Sequence, residues 1–532
     1  ICKMNKIKLI PIIILLFSTN FSFSQGLVLD NSFGTNGMVT TAFGISECQM
    51  SSLTIQSDNK IIACGSSYNG LTNQIVLSRY STNGSLDNTF GNDGKVITPL
   101  GTGLENENNS VAILNNGKIL VAGGTGNATS GIDFGIVRYN SNGTLDTSFG
   151  TNGIVISDFN SETNIGRSMK VLSDNKFIIG GSLNVSSSGN YPNFVIAKYN
   201  ENDTLDTTFG NSGYTSINFG TISNNLLVSE DSLSCLEIQA DGKIVAGGFT
   251  YYNQSDFVLV RLNSNGSLDT SFGANGRVIT DFGAGEEIRS IQILANGEII
   301  ASGNYYFNSD SNQRIAIAKY NANGSLDTAF GTAGKTLFDI NSNQEVFVNS
   351  TELQSDNKLF VTGFVLNTDA DFFIIRCNTD GTLDKSFGVN GVQVIDSGVN
   401  EGAFTSITQP DGKIIIGGGI SFTETTLDFI LMRFLEPTLV TNSFGMSQNN
   451  FSAYPNPFTN SINLTFSLFK NENLTIDLVD ANGRIIQNLS KEKVFSSGNN
   501  SLNLDIPEIL SKGIYFLKIS NGFENNTIKI IK

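Results

Sequence analysis

The chain is 532 residues long, carries a formal net charge of −16 and contains no histidine. Without a cluster of Lys and Arg, this charge excludes nucleic acid and anionic membrane surfaces as partners, because both attract concentrated positive charge. The lack of His removes the commonest general base and zinc ligand, so any chemistry would depend on carboxylates, Tyr, Lys or a bound metal.

Residues 1–24 have the pattern of a secretory signal peptide. Lys6 and Lys8 precede an apolar core of nine residues, which is too short to span a bilayer as an anchor. We expect translation to begin at Met4 and cleavage to follow Ser24. The mature protein is then predicted to have no transmembrane anchor.

A six-residue signature, LDxxFG, recurs through residues 25–436. It begins at Leu29, Leu86, Leu145, Leu205, Leu268, Leu326 and Leu383, at intervals of 57 to 63 residues. Each unit also contains several short apolar or β-branched stretches separated by Gly, Asn and Asp, and none shows helical periodicity. A repeat of this length with several strands predicts an all-β fold, a seven-bladed β-propeller.

Four strands are predicted in each unit. In the first unit they are Ser51 to Gln56, Lys60 to Ser66, Gln74 to Tyr80 and Lys95 to Thr98. The pair Asp58-Asn59 lies between the first two, and similar Asp, Asn and Gly pairs stand there in the other units. Such pairs favour positive φ, so we expect two-residue type I′ hairpins.

The two ends of the repeat region are incomplete in complementary ways. Met38 to Phe43 has the sequence of a fourth strand with no earlier strands before it, and Phe429 to Phe434 is a third strand with no fourth after it. We therefore expect Met38 to Phe43 to be the outer strand of the seventh blade, which leaves no open sheet edge. These repeats resemble the delta-60 family, which is assigned to β-propellers; the resemblance implies the fold and no established activity.

Two of the cysteines, Cys48 and Cys64, lie in the same unit. Small residues occupy the position of Cys64 in the other units, so a small buried thiol is the favoured interpretation. A disulfide is the alternative, although counting across the Asp58-Asn59 hairpin places Leu53, not Cys48, opposite Cys64.

Loops of variable length follow the second strand of each unit, on one face of the predicted ring. Variable loops on a rigid scaffold often carry binding residues, and aromatic rings stack on sugars or peptide side chains. The candidate ligand-binding residues are Tyr68, Tyr191, Tyr251, Tyr252, Tyr305 and Tyr306. The alternative is that these loops vary without a role.

An acidic residue precedes the first turn of every unit by 9 to 12 positions. These residues are Glu47, Glu105, Glu162, Glu230, Glu286, Glu345 and Glu401. The offset predicts a ring of carboxylates at the mouth of the central channel, which would hold Ca²⁺ or a cationic ligand through hard oxygen ligands. The alternative is a solvated acidic rim.

Every predicted third strand ends near a basic residue, and every signature contains an aspartate. The basic residues are Arg79, Arg138, Lys198, Arg261, Lys319, Arg376 and Arg433, and the aspartates are Asp87, Asp146, Asp206, Asp269, Asp327, Asp384 and Asp30. A charge pair that recurs in every unit predicts a structural, partly buried ion pair and not a ligand site.

A linker at residues 437–452 leads to a different segment, residues 453–532. Alternating apolar residues predict a small Ig-like β-sandwich. The segment contains Tyr454, Pro455, Asn456, Pro457 and Phe458 in succession, a D-x-x-G-R turn, Gly513 and Tyr515 in a G-x-Y-x-L-K strand, and a terminal Lys532. It resembles the type A C-terminal sorting domain of type IX secretion substrates. This resemblance implies the type IX machinery as a partner, export to the surface or medium of a Bacteroidetes-type cell, and removal of the domain.

The sequence favours a non-catalytic binding or adhesion module for an extracellular glycan or protein. A carbohydrate-active hydrolase or lyase is an alternative, but it needs one asymmetric pair of carboxylates, whereas the acidic residues here recur blade by blade. A structural surface-layer component is a second alternative.

Overall fold

The protein, seen in a computed structural model, is built from β-strands. The structure describes residues 26–44, 47–68, 73–99, 109–127, 131–159, 163–185, 191–220, 222–223, 226–227, 229–251, 254–306, 313–340, 344–366, 369–396, 400–423, 426–435, 451–468, 472–480, 484–496, 498–507, 510–520 and 525–532. The predicted signal peptide and most of the predicted linker lie outside these ranges. Within them there is no helix that could cross a membrane. Two compact units are formed, one up to Pro437 and one from Thr438.

Strand β1 (Met38–Thr41) is followed by six blades, each a four-stranded antiparallel sheet whose strands pair in chain order. The first blade contains β2 (Glu47–Ile55), β3 (Ile61–Tyr68), β4 (Asn73–Tyr80) and β5 (Lys95–Pro99); the second β6 (Ser110–Ile113), β7 (Ile119–Asn127), β8 (Gly131–Tyr139) and β9 (Ile154–Ser157); the third β10 (Asn164–Val171), β11 (Phe177–Val185), β12 (Tyr191–Tyr199) and β13 (Tyr214–Ile217). A small hairpin, β14 (Ile222–Ser223) and β15 (Leu226–Leu227), precedes the fourth blade.

The fourth blade contains β16 (Glu230–Ile238), β17 (Ile244–Tyr251), β18 (Ser255–Leu262) and β19 (Arg277–Thr280); the fifth β20 (Gly285–Ile293), β21 (Ile299–Tyr306), β22 (Gln313–Tyr320) and β23 (Lys335–Phe338); the sixth β24 (Glu345–Leu353), β25 (Leu359–Leu366), β26 (Ala370–Cys377) and β27 (Val392–Ile395). Each blade packs against a neighbour on both faces, so its middle strands are buried at consecutive positions. β3, for example, is buried from Ile61 through Gly65. Seven clusters of buried side chains fill the spaces between adjacent blades.

The seventh blade is assembled from both ends of the repeat region. It contains β28 (Asn400–Thr408), β29 (Ile414–Thr423) and β30 (Thr426–Phe434), and β1 is its fourth strand. Met38 pairs with Met432 and Thr41 pairs with Phe429 in an antiparallel ladder. The predicted ring closure and the predicted β-propeller are therefore confirmed.

The turn between the first two strands of each blade differs from the prediction. In the first blade, the Asn59 N–H donates to the Gln56 carbonyl at 2.8 Å, and the loop contains three residues, 57–59. Only Asn59 has a positive φ, of 62°. This combination is typical of a type I turn followed by one left-handed residue. The predicted two-residue type I′ turn is wrong, because it requires two positive φ angles.

The four described cysteines are free thiols, and Cys48, Cys64 and Cys377 are buried. Cys64 lies opposite Ser52 and not Leu53, since the preceding loop is one residue longer than predicted. Burial raises the pKa of Cys48 to about 12 and also raises that of Cys64. The interpretation of Cys48 and Cys64 as small buried thiols, not a disulfide, is confirmed.

The predicted ion pair between the signature aspartate and the basic residue of the third strand is present in all seven blades. In the second blade, Arg138 Nε lies 2.6 Å from Asp146 Oδ2, and both side chains are buried. In six blades a lysine from the first turn joins the same carboxylate: Lys60, Lys118, Lys176, Lys243, Lys358 and Lys413. The prediction of a structural ion pair is confirmed.

In four blades the arginine of this pair, Arg79, Arg138, Arg261 or Arg433, also joins its blade to the next one. Arg138 Nη1 donates to the Glu201 carbonyl of the third blade at 2.5 Å. Its guanidinium carbon lies 4.3 Å from the ring centre of Phe149, the signature phenylalanine. Gly150 follows with a φ of +50°, and a Cβ there would lie 2.1 Å from the Ile154 carbonyl oxygen. Asp146, Phe149 and Gly150 of the LDxxFG signature are therefore each fixed by a specific contact.

The second unit is a sandwich of two sheets. One contains β31 (Ser452–Tyr454), β32 (Ser461–Leu468) and β35 (Gly498–Asp505), and the other contains β33 (Glu472–Val479), β34 (Ile485–Phe495), β36 (Ile514–Ser520) and β37 (Asn525–Ile531). A core of buried side chains that includes Phe458, Ile476 and Leu517 lies in this unit.

The YPNPF segment of this unit is bound to its last strand. The Asn456 side chain donates to the Lys529 carbonyl at 3.0 Å and accepts from the Ile531 N–H at 2.8 Å. The Phe458 N–H donates to the Ile531 carbonyl at 2.9 Å. Pro455 and Pro457 flank Asn456 and are exposed.

The other predicted sorting residues lie along the same strand or beside it. Gly513 and Lys532 exchange two backbone hydrogen bonds, of 3.2 and 3.0 Å. The Tyr515 hydroxyl donates to the Ser511 carbonyl, and the hydroxyl of exposed Tyr454 accepts from Asn463 Nδ2.

Ring closure predicts a specific sensitivity to deletion. Removing residues 29–43 deletes β1 and Asp30, exposes the edge of β30 and opens a buried cluster. We expect the melting temperature of this variant to fall by roughly 10 °C or more relative to the intact protein. Removing residues 436–450, a deletion of the same length, should change it little. Equal melting of both variants in differential scanning calorimetry would show that β1 does not close the ring.

The ion pairs predict instability in acid. Burial alone would raise the pKa of Asp30, but hydrogen bonds from Ser32 and Lys413 and the charge of Arg433 hold it at about 2. A depressed pKa stabilises the native state above pH 4, and this contribution is lost as the pH falls from about 4 to 2, on the order of 1 kcal/mol for each such aspartate. Urea midpoints should therefore fall across this range, and less so for Asp146→Asn, which lacks one of these carboxylates. A flat profile would contradict the argument.

Candidate functional site

In six of the seven blades, one residue of the first strand is skipped by the ladder to the second strand. In six blades the skipped residues are Ser51, Arg167, Ser234, Arg289, Asn349 and Phe404. In the second blade, Asn109 stands immediately before the first paired residue, Ser110. A β-bulge of this kind re-aims a side chain while the rest of the strand keeps its register.

These seven side chains, one from each blade, line a single cavity of about 380 Å³. Residues contributed by all seven blades can meet in one cavity only near the axis of the ring, so the first strands are the innermost ones. We call this space the axial cavity. Gln49, Met50, Ser52, Ser66 and Ser110 complete its lining.

The residue after each bulge is small, with a hydroxyl in six blades: Ser52, Ser110, Ser168, Cys235, Ser290, Ser350 and Thr405. The hydroxyls join neighbouring innermost strands. Ser52 Oγ accepts from the Val111 N–H at 3.3 Å, and Ser110 Oγ accepts from the Met169 N–H at 3.2 Å. The sequence prediction missed the cavity residues, although each directly precedes this recurring small residue.

Arg289 is held in the axial cavity by a polar network. Its Nη2 and Nε donate to Glu287 Oε1 at 2.6 and 3.0 Å. The same oxygen accepts from the Tyr306 hydroxyl and from Asn304 Nδ2, the latter at 3.1 Å. Burial and the charge of Glu287 raise the pKa of Tyr306, which keeps its proton on the phenol. The orientation of the guanidinium is consequently fixed by these contacts.

An apolar surface is supplied by one aromatic ring, which packs against a second that stacks on a third. Phe404 lines the cavity, and its ring centre lies 5.9 Å from that of Phe364. Phe364 stacks on Phe347 at 4.7 Å with an angle of 19° between the rings. The axial cavity is therefore asymmetric, with arginines and amides on some blades and an aromatic ring on another.

Charged residues also lie three positions beyond the bulge on the innermost strands. Lys170 of the third blade forms an ion pair with Glu237 of the fourth. In the sixth blade, burial raises the pKa of Glu352 to about 7, although Thr408 Oγ1 donates to it at 3.0 Å and the charge of Lys170 lowers it.

The predicted tyrosines occupy several different environments. Tyr68, Tyr251 and Tyr306 end the second strands of their blades at equivalent positions. Tyr251 is 47% exposed, and Tyr306 binds Glu287 as described above. Tyr191 is half-buried at the start of β12. Tyr252 lies outside the described residues.

Tyr305 requires a correction. Its side chain is 5% exposed and belongs to the buried cluster between the fourth and fifth blades. Adjacent residues of a strand point to opposite faces, so Tyr305 and Tyr306 cannot both face a ligand. Of this pair, only Tyr306 contacts the polar network of the axial cavity.

The predicted ring of seven glutamates is also corrected by the register. The reference point is the last residue of each first strand that is paired ahead of the bulge. Three of the glutamates lie three positions before it, namely Glu47, Glu230 and Glu345. Two lie only two positions before it, namely Glu286 and Glu401. A shift of one residue turns a side chain to the other face of a strand. Glu286 and Glu401 are accordingly buried, while Glu230 is exposed. Glu105 and Glu162 lie outside the described residues.

Two families match the chain. Seven segments match the family described as "Domain of unknown function (DUF5122) beta-propeller", at residues 56–90, 114–149, 172–209, 239–272, 294–330, 354–387 and 409–436. Residues 452–532 match the "Secretion system C-terminal sorting domain". Both resemblances proposed from the sequence are confirmed. No curated protein matches the chain.

Several solved structures resemble the chain weakly. Polysaccharide lyase Uly1 is 12% identical with a TM-score of 0.41, and the match covers 77% of this chain and 97% of the lyase. A catalytically inactive virginiamycin B lyase from Staphylococcus aureus is 10% identical, with a TM-score of 0.37 and coverage of 74% and 98%. A protein of unknown function from Dyadobacter fermentans is 10% identical, with a TM-score of 0.39 and coverage of 75% and 99%. At these scores the likenesses carry no functional argument.

Proposed function

We propose that this protein, a member of the DUF5122 beta-propeller family with a secretion system C-terminal sorting domain, binds an extracellular glycan that carries carboxylate groups. The sorting domain indicates export by type IX secretion to the cell surface or extracellular space. The observation that carries the proposal is the presence of Arg167, Arg289 and Phe404 in one cavity of an otherwise acidic chain.

Each wall of the axial cavity fits one part of such a ligand. A guanidinium presents donors in a fork that matches a carboxylate, and Arg289 is already held in place by Glu287. Asn349 and Ser234 offer amide and hydroxyl groups for sugar hydroxyls, and Phe404 offers an apolar ring for the face of a sugar. The volume of about 380 Å³ lies within the range of small-ligand pockets.

A non-catalytic role is favoured over a lyase or hydrolase. A tyrosine that acts as a base needs a lowered pKa, whereas the pKa of Tyr306 is raised. Glu287, the carboxylate beside it, is engaged by Arg289, Tyr306 and Asn304. The polar groups of this network are therefore arranged to hold one another and to orient the arginine.

Binding is tested with a glycan array followed by calorimetric titration of the mature protein. We expect uronic-acid oligosaccharides to bind and neutral ones of the same length to bind weakly or not at all. Arg289→Gln and Arg167→Gln should each weaken binding roughly tenfold or more, because each removes a charged hydrogen bond to the ligand. Arg314→Gln is the matched control, since Arg314 pairs with Asp339 outside the cavity.

The same experiment separates the alternatives. Equal affinity for neutral and acidic oligosaccharides, or unchanged affinity in both arginine variants, would contradict the proposal. Release of shorter oligosaccharides during incubation would instead favour the carbohydrate-active enzyme. Binding to no glycan on the array would leave a protein ligand or a structural surface-layer role.

Export and processing give a further prediction. We expect the protein from its native host to begin at Gln25 and to end upstream of Tyr454, because the sorting domain is expected to be removed after export. Intact-mass measurement of the secreted or surface form checks both ends. A surface product that retains residues 454–532 would show that the domain is kept.

A further inference from the structure

Three carboxylates converge where the fourth and fifth blades meet. Asp256 lies on β18, Asp281 follows β19, and Glu286 lies on β20. One oxygen from each lies within 4.8 Å of the others. The two blades thus contribute different members of one cluster.

Two of these carboxylates have buried oxygens without a hydrogen bond from any described residue. The Glu286 side chain is 0% exposed; its Oε1 accepts from the Ala284 N–H at 2.9 Å, and the backbone of Phe282 also interacts with the carboxylate. Its Oε2 lacks a hydrogen bond of normal geometry among the described residues. Asp256 Oδ1 is likewise buried without a donor among the described residues. Leaving buried carboxylate oxygens unsatisfied is costly, so this arrangement favours a partner that the described residues do not provide.

No Lys or Arg in the described part of the chain fills that role. None of the three carboxylates forms an ion pair with a described Lys or Arg. The nearby Lys335 donates to the backbone carbonyl of Asp281, at 2.8 Å, and not to a carboxylate. The adjoining stretches of sequence, residues 252–253 and 307–312, contain neither Lys nor Arg.

The equivalent position between the third and fourth blades shows how the chain satisfies itself elsewhere. Asn193 and Asn218 replace the two aspartates and are hydrogen-bonded to each other at 2.6 Å. Asp231 replaces Glu286, and it accepts from Thr250 Oγ1 at 2.6 Å and from the Phe219 N–H at 2.8 Å. That junction holds one carboxylate, and its oxygens have donors.

The junction between the fifth and sixth blades is neutral for a different reason. Arg314 and Asp339 occupy the two aspartate positions and form an ion pair of 2.7 Å, and Val346 replaces the glutamate. The accumulation of three carboxylates between the fourth and fifth blades is therefore not imposed by the fold. The same trio of residue types recurs between the sixth and seventh blades as Asp371, Asp396 and Glu401.

We propose that Asp256, Asp281 and Glu286 bind a Ca²⁺ ion that joins the fourth and fifth blades. Ca²⁺ takes oxygen ligands at 2.3 to 2.6 Å, so two oxygens on one ion lie at most about 5 Å apart. The 4.8 Å limit of this cluster satisfies that condition. Mg²⁺ demands shorter contacts and a stricter octahedron, and it fits this cluster less well. The ion belongs to a junction between blades and is separate from the glycan site.

The test uses CaCl₂ alone, without any glycan, on the mature protein. We expect the melting temperature of the wild type to rise by roughly 2 °C or more in millimolar Ca²⁺ relative to chelator, because an ion that binds only the native state stabilises it. In Glu286→Gln this rise should shrink, and titration calorimetry should count one fewer Ca²⁺ per molecule. In chelator, Glu286→Gln should melt no lower than the wild type, since it replaces a buried charge by an amide.

Asp339→Asn is the matched control, as it changes the same position of the next junction, and it should keep the stoichiometry and the Ca²⁺-dependent rise of the wild type. Should Glu286→Gln not fold, the exposed Asp281→Asn supplies the same comparison. An unchanged number of bound Ca²⁺ ions in these variants, or a wild type that neither binds Ca²⁺ nor melts higher in its presence, would overturn the proposal. Neither result depends on whether a glycan binds.

Discussion

The contact on which this propeller depends is the one between the signature aspartate and the arginine of the third strand. The arginine holds that carboxylate, lies on the signature phenylalanine and donates to a backbone carbonyl of the following blade, as Arg138 does with Asp146, Phe149 and Glu201. A partly buried guanidinium can satisfy several acceptors at once because its donors form a fixed fork. Each repeat thus carries its own ion pair, and in four of the seven blades the same arginine also connects the repeat to the next one. In the seventh blade, Arg433 makes the same contacts with Asp30 and Phe33, although they lie at the other end of the repeat region.

This ion pair leaves certain positions free to differ in residue type from blade to blade. Packing between blades fixes the apolar residues, and the small residue after each bulge fixes the spacing of the innermost strands. The bulge residue itself contacts the axial cavity, so its identity is not set by the sheet. It is accordingly serine, asparagine, arginine or phenylalanine in different blades. A nearly symmetric frame therefore produces an asymmetric cavity, in which Arg289 and Phe404 offer different chemistry to one ligand.

Much of the fold followed from the sequence because its signals are local and repeated. Seven signatures gave the number of blades, and the complementary ends predicted that β1 completes the seventh blade. The bulge was not predictable in this way, since it is one extra residue whose effect depends on the neighbouring strand. Glu286 and Glu345 differ by one position in their distance from the bulge, although a fixed window before the turn had treated them as equivalent. The three-residue loop at Asn59 displaced the pairing of Cys64 for a related reason, because loop length and strand register are set together.

Closure by strands from opposite ends also determines how the native state is reached. Asp30 and Arg433 are separated by 403 positions in the chain, and such distant contacts slow folding even though the entropy of closing a loop grows only slowly with its length. An open array of repeats can form step by step from any point, each unit stabilised by its neighbours. The seventh blade of this ring needs strands from both ends of the repeat region. No partly folded form therefore has all its strand edges paired. The seven blades are therefore expected to fold and unfold as one cooperative unit. An exported chain then either closes the ring or keeps unpaired strand edges.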